Sequence, residues 1–393
     1  MRDHTCAHAG TVPERASRTP RRRPLAHRVL HFLGRRGLRT PLAVLLIATV
    51  STACADLSNG ATRKAPDGTT QVTIGKAVDT VGFTTVDVAQ EKGYFAKEGV
   101  SAKQELLGGS STAFAALQSG SVQFVTASST ALLSAKTKHV PLQAVTSLDY
   151  GVSLQLAASK SWTKAHHLSP KQPLKTVMRG LTGGTLGVVS TTDLTYYHYL
   201  MKQAGVDQDQ FKTIVIKTQA AALAAVQHGQ IDAFLVSPPN SYFAQSQGQA
   251  QIIATLHSVP ALKNMTYDVL VTSATYAKAH PDVVKSVATA MARADNTMAQ
   301  DPESVLDVER EHYPKMSDDV LLQSLKYVTF APDGKMTPDG WRAVREQAEA
   351  SDVPDASSVN VDENQGTWSN DYIVTGRLHA SGSGSASPSG SGH

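Results

Sequence analysis

The chain has 393 residues, of which 41% are hydrophobic and 18% charged, and its formal net charge is +4. This balance excludes a disordered or collagen-like chain and leaves room for two α/β lobes. Residues 1–53 hold ten arginines against Asp3 and Glu14, a balance of +8, so the rest carries −4 and lacks the basic surface that nucleic-acid binding requires.

In chain order, residues 1–53 read as an export signal with a long basic extension. Arginines run to Arg39, an apolar stretch fills 41–50, and Ser51, Thr52 and Ala53 precede Cys54. Positive end, short apolar core and small residues are the three parts of a secretory signal. The apolar stretch is too short to cross a bilayer core of roughly 30 Å as a helix. Cys54 at this place resembles a bacterial lipoprotein signal, although Ser51 stands where that pattern prefers Leu, Val or Ile. The resemblance implies a lipid on Cys54 and anchorage to the outer face of the cell membrane. Arg35-Arg36 loosely resembles a twin-arginine export signal. The other cysteine, Cys6, lies in the removed segment, so no disulfide, thiolate nucleophile or cysteine metal site is expected.

Residues 54–70 are small and polar and read as a tether. Beyond it, strand and helix signals alternate. Strands are expected at 72–77, 100–106, 122–125 and 142–145, with helices at 84–98, 110–119 and from 129. The plan then repeats. Strands are expected at 184–189, 211–216, 231–236 and 252–255, with helices from 190 to 204 and from 219 to 228. A return strand is expected at 267–272, then helices at 281–300 and around 305 and 321. Residues 380–393 form a Gly/Ser-rich tail. Alternation at this spacing implies βαβ units and mostly parallel sheets. The expected division is a first lobe over 71–178, a second over 179–258, and a return to the first over 259–379.

Four phrases carry a family resemblance: Glu91-Lys-Gly-Tyr-Phe-Ala-Lys-Glu-Gly99, Ala116-Leu-Gln-Ser-Gly120, Leu181-Thr-Gly-Gly-Thr-Leu-Gly-Val-Val189 and Gly229-Gln-Ile-Asp-Ala233. Over about 72–350 the chain resembles the substrate-binding proteins of ABC importers. The similarity is to the nitrate, sulfonate and taurine group, which also includes binders of thiamine-pyrimidine precursors. The resemblance implies a two-lobe Venus-flytrap fold with a hinge. It also implies a small-molecule ligand, delivery to an ABC permease and its ATPase, a monomer, and no enzyme activity or cofactor. Enzyme relatives on this fold rely on a cysteine-rich motif that this chain lacks. A sensory subunit on the same fold is a further alternative.

Ligands of such folds sit at the carboxyl ends of the strands, where helix N-termini offer free N–H groups. The candidate contacts are therefore Thr80, Gly82 and Phe83 in the first loop, Ser110 and Ser111 after two glycines, and Ser128 and Ser129 after the third strand. From the second lobe come Ser190, Thr191, Thr192 and Thr195, and then Ser237 before Pro238-Pro239. Helix capping alone accounts for hydroxyls at several of these places. Hydroxyl-rich helix starts suit a sulfonate, nitrate or carboxylate, while Phe83, Tyr196 and Tyr242 suit a ring. Asp232 reads as structural. His166 and His167 have no third ligand at metal-binding spacing, so no metal is expected.

Overall fold

Residues 63–378 are described by a computed structural model. The export signal, Cys54 and the tail from 380 lie outside the described residues. The first strand, β1 (Arg63–Lys64), falls inside the segment read as a tether and pairs antiparallel with the start of β2 (Thr70–Lys76). Then come β3 (Val100–Leu106), β4 (Phe124–Ser128), β5 (Leu142–Ser147) and the short β6 (Asp149–Tyr150). Next are β7 (Gln155–Ser159), β8 (Thr185–Val188), β9 (Lys212–Val215), β10 (Ala233–Val236) and β11 (Ala250–Thr255). The last two are β12 (Asp268–Ser273) and β13 (Thr329–Phe330).

Two large sheets result, and each belongs to one lobe, while β13 pairs with β6 in a small third sheet. The first runs β3-β2-β4-β12-β5, with β1 on the start of β2; the second runs β11-β7-β10-β8-β9. β2 is parallel to β3 and β4, and β8 is parallel to β9 and β10. In each sheet the strand delivered by a crossover runs against its neighbours: β12 against β4 and β5, and β7 against β10 and β11. The fold is thus a two-lobe α/β Venus flytrap, but its sheets are mixed rather than mostly parallel, because each returning or outgoing crossover strand runs against both of its neighbours.

The inner strands of the second sheet are buried on both faces, while its edge strand β9 is exposed. Along β10, Phe234 and Val236 join one apolar cluster while Ala233 and Leu235 join the other. β7 brings the chain into the second sheet at Gln155, so residues 155–178 lie with the second lobe rather than the first. The helix Leu174–Gly180 accordingly packs on Thr191–Ala204 of that lobe.

Two chain segments cross between the lobes, and they are bonded to each other. Leu148 N–H donates to Asp268 at 2.8 Å, Gly151 N–H to Met265 at 2.7 Å and Tyr267 N–H to Asp149 at 3.3 Å. These bonds make the hinge a two-stranded strap rather than a pair of loose linkers. The C-terminal helices do not stay with the first lobe alone. Pro338–Ala350 contacts Ser129–Lys136 of the first and Thr191–Ala204 of the second. Its Trp341 is fully buried and stacks on Trp368, with ring centroids 6.2 Å apart.

Candidate functional site in the interlobe cleft

The cleft is built from loops at the carboxyl ends of strands in both sheets. From the first lobe come the turn after β2, the start of the helix Ser110–Ser119 and the end of β4. From the second come the turn after β8, the start of the helix Gln219–Gln227 and the turn after β10. The crossovers add Leu154, Tyr267 and Asp268 to the floor. With the lobes in contact the enclosed space is small, about 40 Å³. A recess of about 270 Å³ adjoins it, sharing Val78, Val189 and Gln219 as wall, with Leu106 and Lys217 at its edge.

Seven of the expected residues come together on this surface: Thr80, Phe83, Ser110, Ser128, Ser190, Thr192 and Ser237. The lobes are already in contact across it. Ser128 Oγ lies 3.1 Å from Thr192 Oγ1, and Thr130 Oγ1 lies 3.2 Å from Tyr196 Oη. Val81 N–H donates to the Pro238 carbonyl at 3.0 Å, beside the cis Pro238-Pro239 bond.

Ser190 caps the helix Thr191–Ala204 in a capping box. Its Oγ accepts the Asp193 N–H at 3.2 Å, and Asp193 Oδ2 accepts the N–H groups of Val189 at 2.7 Å and Ser190 at 3.0 Å. The Ser190 hydroxyl also reaches Asp193 Oδ1 at 3.1 Å. Burial pushes the Asp193 carboxyl up to about 6 in spite of these donors.

Five expected residues do not line the cleft. Gly82 sits behind its wall, where an added Cβ would lie 2.8 Å from Asp268 Oδ2 and 3.2 Å from Asp149 Oδ2. The glycine admits a close approach, but to buried carboxyls rather than to a ligand. Ser129 is buried and donates to the Thr266 carbonyl at 2.6 Å. Ser111 and Thr191 are exposed, and Thr195 donates to the Thr191 carbonyl at 3.1 Å. Neighbours on a helix are turned by about 100° from one another, so Thr191 faces away when Thr192 faces in. Of the expected ring contacts, Phe83 lines the cleft. Tyr196 is buried beneath the surface, and Tyr242 bonds Gln155 at 3.2 Å away from the cleft.

Sequence reasoning missed Val78, Leu154, Val189, Gln219, Tyr267 and Asp268 as lining residues. Of these, Asp268 had a usable signal, a carboxylate at the mouth of a buried strand. The first loop is held from behind by the C-terminal helices. Thr84 Oγ1 donates to Glu309 Oε1 and Thr85 Oγ1 to Asp295 Oδ1, both at 2.6 Å. Asp79 Oδ1 meets His312 Nε2 at 2.7 Å and accepts the Tyr313 hydroxyl at 2.9 Å. The hydrogen bond to Asp79 raises the His312 pKa, and burial pushes Glu309 up to about 7.

Comparison with solved structures places the fold. A protein from Bordetella bronchiseptica RB50 superposes with a TM-score of 0.68 at 22% identity, covering 78% of this chain and 96% of that one. The periplasmic nitrate-binding protein NrtA from Synechocystis PCC 6803 gives 0.63 at 15% identity, covering 77% and 87%. The alkanesulfonate-binding protein SsuA from Xanthomonas axonopodis pv. citri, bound to MOPS, gives 0.58 at 16% identity, covering 71% and 91%. None of the curated proteins matches the sequence. The family model described as NMT1/THI5 like matches residues 81–305, more than half of the chain, and the chain belongs to that family.

Proposed function

We propose that this protein is the solute-binding subunit of an ABC-type importer, working outside the cytoplasm as a monomer. A lipid on Cys54 holds it to the outer face of the membrane, and a permease with its ATPase receives the solute. Its cargo is a small organic anion with a sulfonate-like head. One observation carries this reading. Six hydroxyl side chains, Thr80, Ser110, Ser128, Ser190, Thr192 and Ser237, converge from both lobes on one cleft over a bonded two-strand hinge. Hydroxyls and helix N-termini hold anion oxygens without a fixed cation. Lobe closure buries such a ligand from both sides. The named nitrate and alkanesulfonate binders of the same fold support this class of cargo. A pyrimidine-like ring is the second reading, supported by Phe83 and Tyr267 on the cleft surface.

Thermal-shift measurements against alkanesulfonates, nitrate, bicarbonate, dicarboxylates and thiamine-pyrimidine precursors test the cargo. A ligand at 100 times its Kd adds roughly 2.7 kcal/mol and raises Tm visibly. A shift with an alkanesulfonate supports the proposal; a shift with the pyrimidines alone favours the second reading; no shift at all removes both. Membrane fractionation tests the anchor: Cys54→Ser moves the protein from the membrane to the soluble fraction, and an unchanged distribution removes the lipid.

A further inference from the structure

Each of the two crossovers in the strap brings a buried carboxyl to the same point. Asp149 lies on the outgoing segment, and Asp268 opens β12 on the returning one. Asp149 ties the strap together. Its carbonyl accepts the Tyr267 N–H at 3.3 Å, and its Oδ1 accepts the Asp268 N–H at 2.8 Å. Asp149 Oδ2 is buried and has no hydrogen-bond partner. That oxygen and Asp268 Oδ2 both crowd the bare face of Gly82. The second lobe roofs the pair. Asp268 lines the cleft in register with Ser128, whose Oγ meets Thr192 of that lobe at 3.1 Å. Tyr267 packs edge-on against Tyr196 of the same lobe, with ring centroids 6.2 Å apart. Opening the lobes removes this roof and admits water to Asp268.

The titratable groups around the pair are Tyr196 from the helix Thr191–Ala204, Tyr267 beside Asp268, Tyr150 beside Asp149, and Asp295 from the helix Pro281–Gln300. None of them brings positive charge. Lys335 pairs with Asp333, which bears on Tyr150 rather than on the pair. Asp295 is sealed inside the first lobe, where Thr85 donates to it, so its burial does not follow the lobes. Two carboxylates buried together without a cation are costly, so the closed pair keeps a proton. Burial raises Asp149 to about 7 and Asp268 well above the usual carboxylate range. A hydrated carboxyl titrates near 4, at about 3.9 for aspartate.

We infer that Asp149 and Asp268 form a proton latch on the hinge: closing the lobes takes up a proton, and opening them returns it to solvent. In the open form both carboxyls are hydrated and ionised. On closure one O–H bond forms on the pair, with a proton from solvent, and one negative charge is lost. The latch itself needs only the hinge; its effect on capture rests on the reading of the cleft as a solute site. The closed form binds more protons than the open one. Closure, and affinity with it, is therefore strongest below the ordinary carboxylate range and weakens as pH rises from about 4 to beyond 7.

Small-angle X-ray scattering of the ligand-free protein from about pH 5.5 to about pH 8.5 tests the latch without any ligand. The radius of gyration is expected to grow with pH as the lobes open. Asp268→Asn puts an amide donor that cannot titrate in place of the acid, and is expected to stay compact throughout. Asp149→Asn, the second variant, is expected to shrink the dependence. Calorimetric titration with ethanesulfonate, an anion at every pH used, then reads the effect on capture. Near pH 6.5, buffers of different ionisation heat are expected to show about one proton taken up per ligand, and Kd is expected to rise roughly tenfold per pH unit. Asp268→Asn is expected to remove both. A parent radius that ignores pH overturns the latch. So does a pH response that both variants keep in full. Ethanesulfonate binding without proton uptake overturns the latch and leaves the solute reading intact. Scattering that responds to pH as expected, with no ethanesulfonate binding, supports the latch and counts against the sulfonate reading.

Discussion

Thr191 and Thr192 are adjacent and chemically identical, yet the fold gives them opposite tasks. Thr192 is buried against Ser128 across the cleft, and Thr191 is exposed. Thr192→Ala is expected to weaken solute binding by roughly 1 kcal/mol, about fivefold, the net worth of one hydrogen bond. Thr191→Ala is expected to leave binding unchanged, and titration of the two variants side by side checks the contrast. The sequence made the hydroxyl-rich turns legible, because Ser and Thr cluster at helix starts, where several of them also serve as caps. It did not make legible which of two neighbours faces the cleft, since that depends on helix phase. Gly82 shows the same limit. Its need for close approach was readable, but the approaching groups are carboxyls that lie far along the chain.

At the scale of elements, the alternating strands were readable from their β-branched and apolar runs, and the sheets follow that order. Several features escaped, and three of them have a clear cause. The helix expected over 84–98 is two helices, Thr85–Glu91 and Tyr94–Lys97, split at Gly93, whose φ of +68° ends the first turn pattern. The strand Gln155–Ser159 was missed because it is short and flanked by small and polar residues. The helix Pro338–Ala350 was missed although Thr337 caps it and Pro338 opens it. That region matters for the site, because C-terminal helices anchor the first cleft loop through Glu309 and Asp295. Burial raises Glu309 from 4.5 to about 7, so the folded protein keeps a proton that the unfolded chain has released. Its contribution to stability therefore falls as pH rises from about 4.5 to about 7. Glu309→Gln keeps an oxygen for Thr84 and removes the titration. Its Tm is expected to decline less than that of the parent across this range, with a gain on the order of 1–3 kcal/mol at pH 8. Parallel Tm curves for the two proteins count against a buried, protonated Glu309.

For the whole molecule, the tandem α/β units pointed to two lobes and a return strand. The hinge was not readable. It depends on hydrogen bonds between the 148–151 and 265–268 segments, which lie more than a hundred residues apart in sequence. Those segments also bring Asp149 against Asp268 and put both beneath the cleft. The same strap thus sets the lobe geometry and the charge of the floor. The bonds Ser128–Thr192, Thr130–Tyr196 and Val81–Pro238 describe lobes closed on one another. A solute that binds between them is held by groups from both. The most direct measurement is calorimetric titration of the protein and of a Ser128→Ala, Thr192→Ala double variant with 2-aminoethanesulfonate. The account predicts saturable binding at one site per chain, with affinity at least roughly tenfold lower in the double variant. Equal affinity in the two proteins, or no saturable heat in the parent, would contradict it.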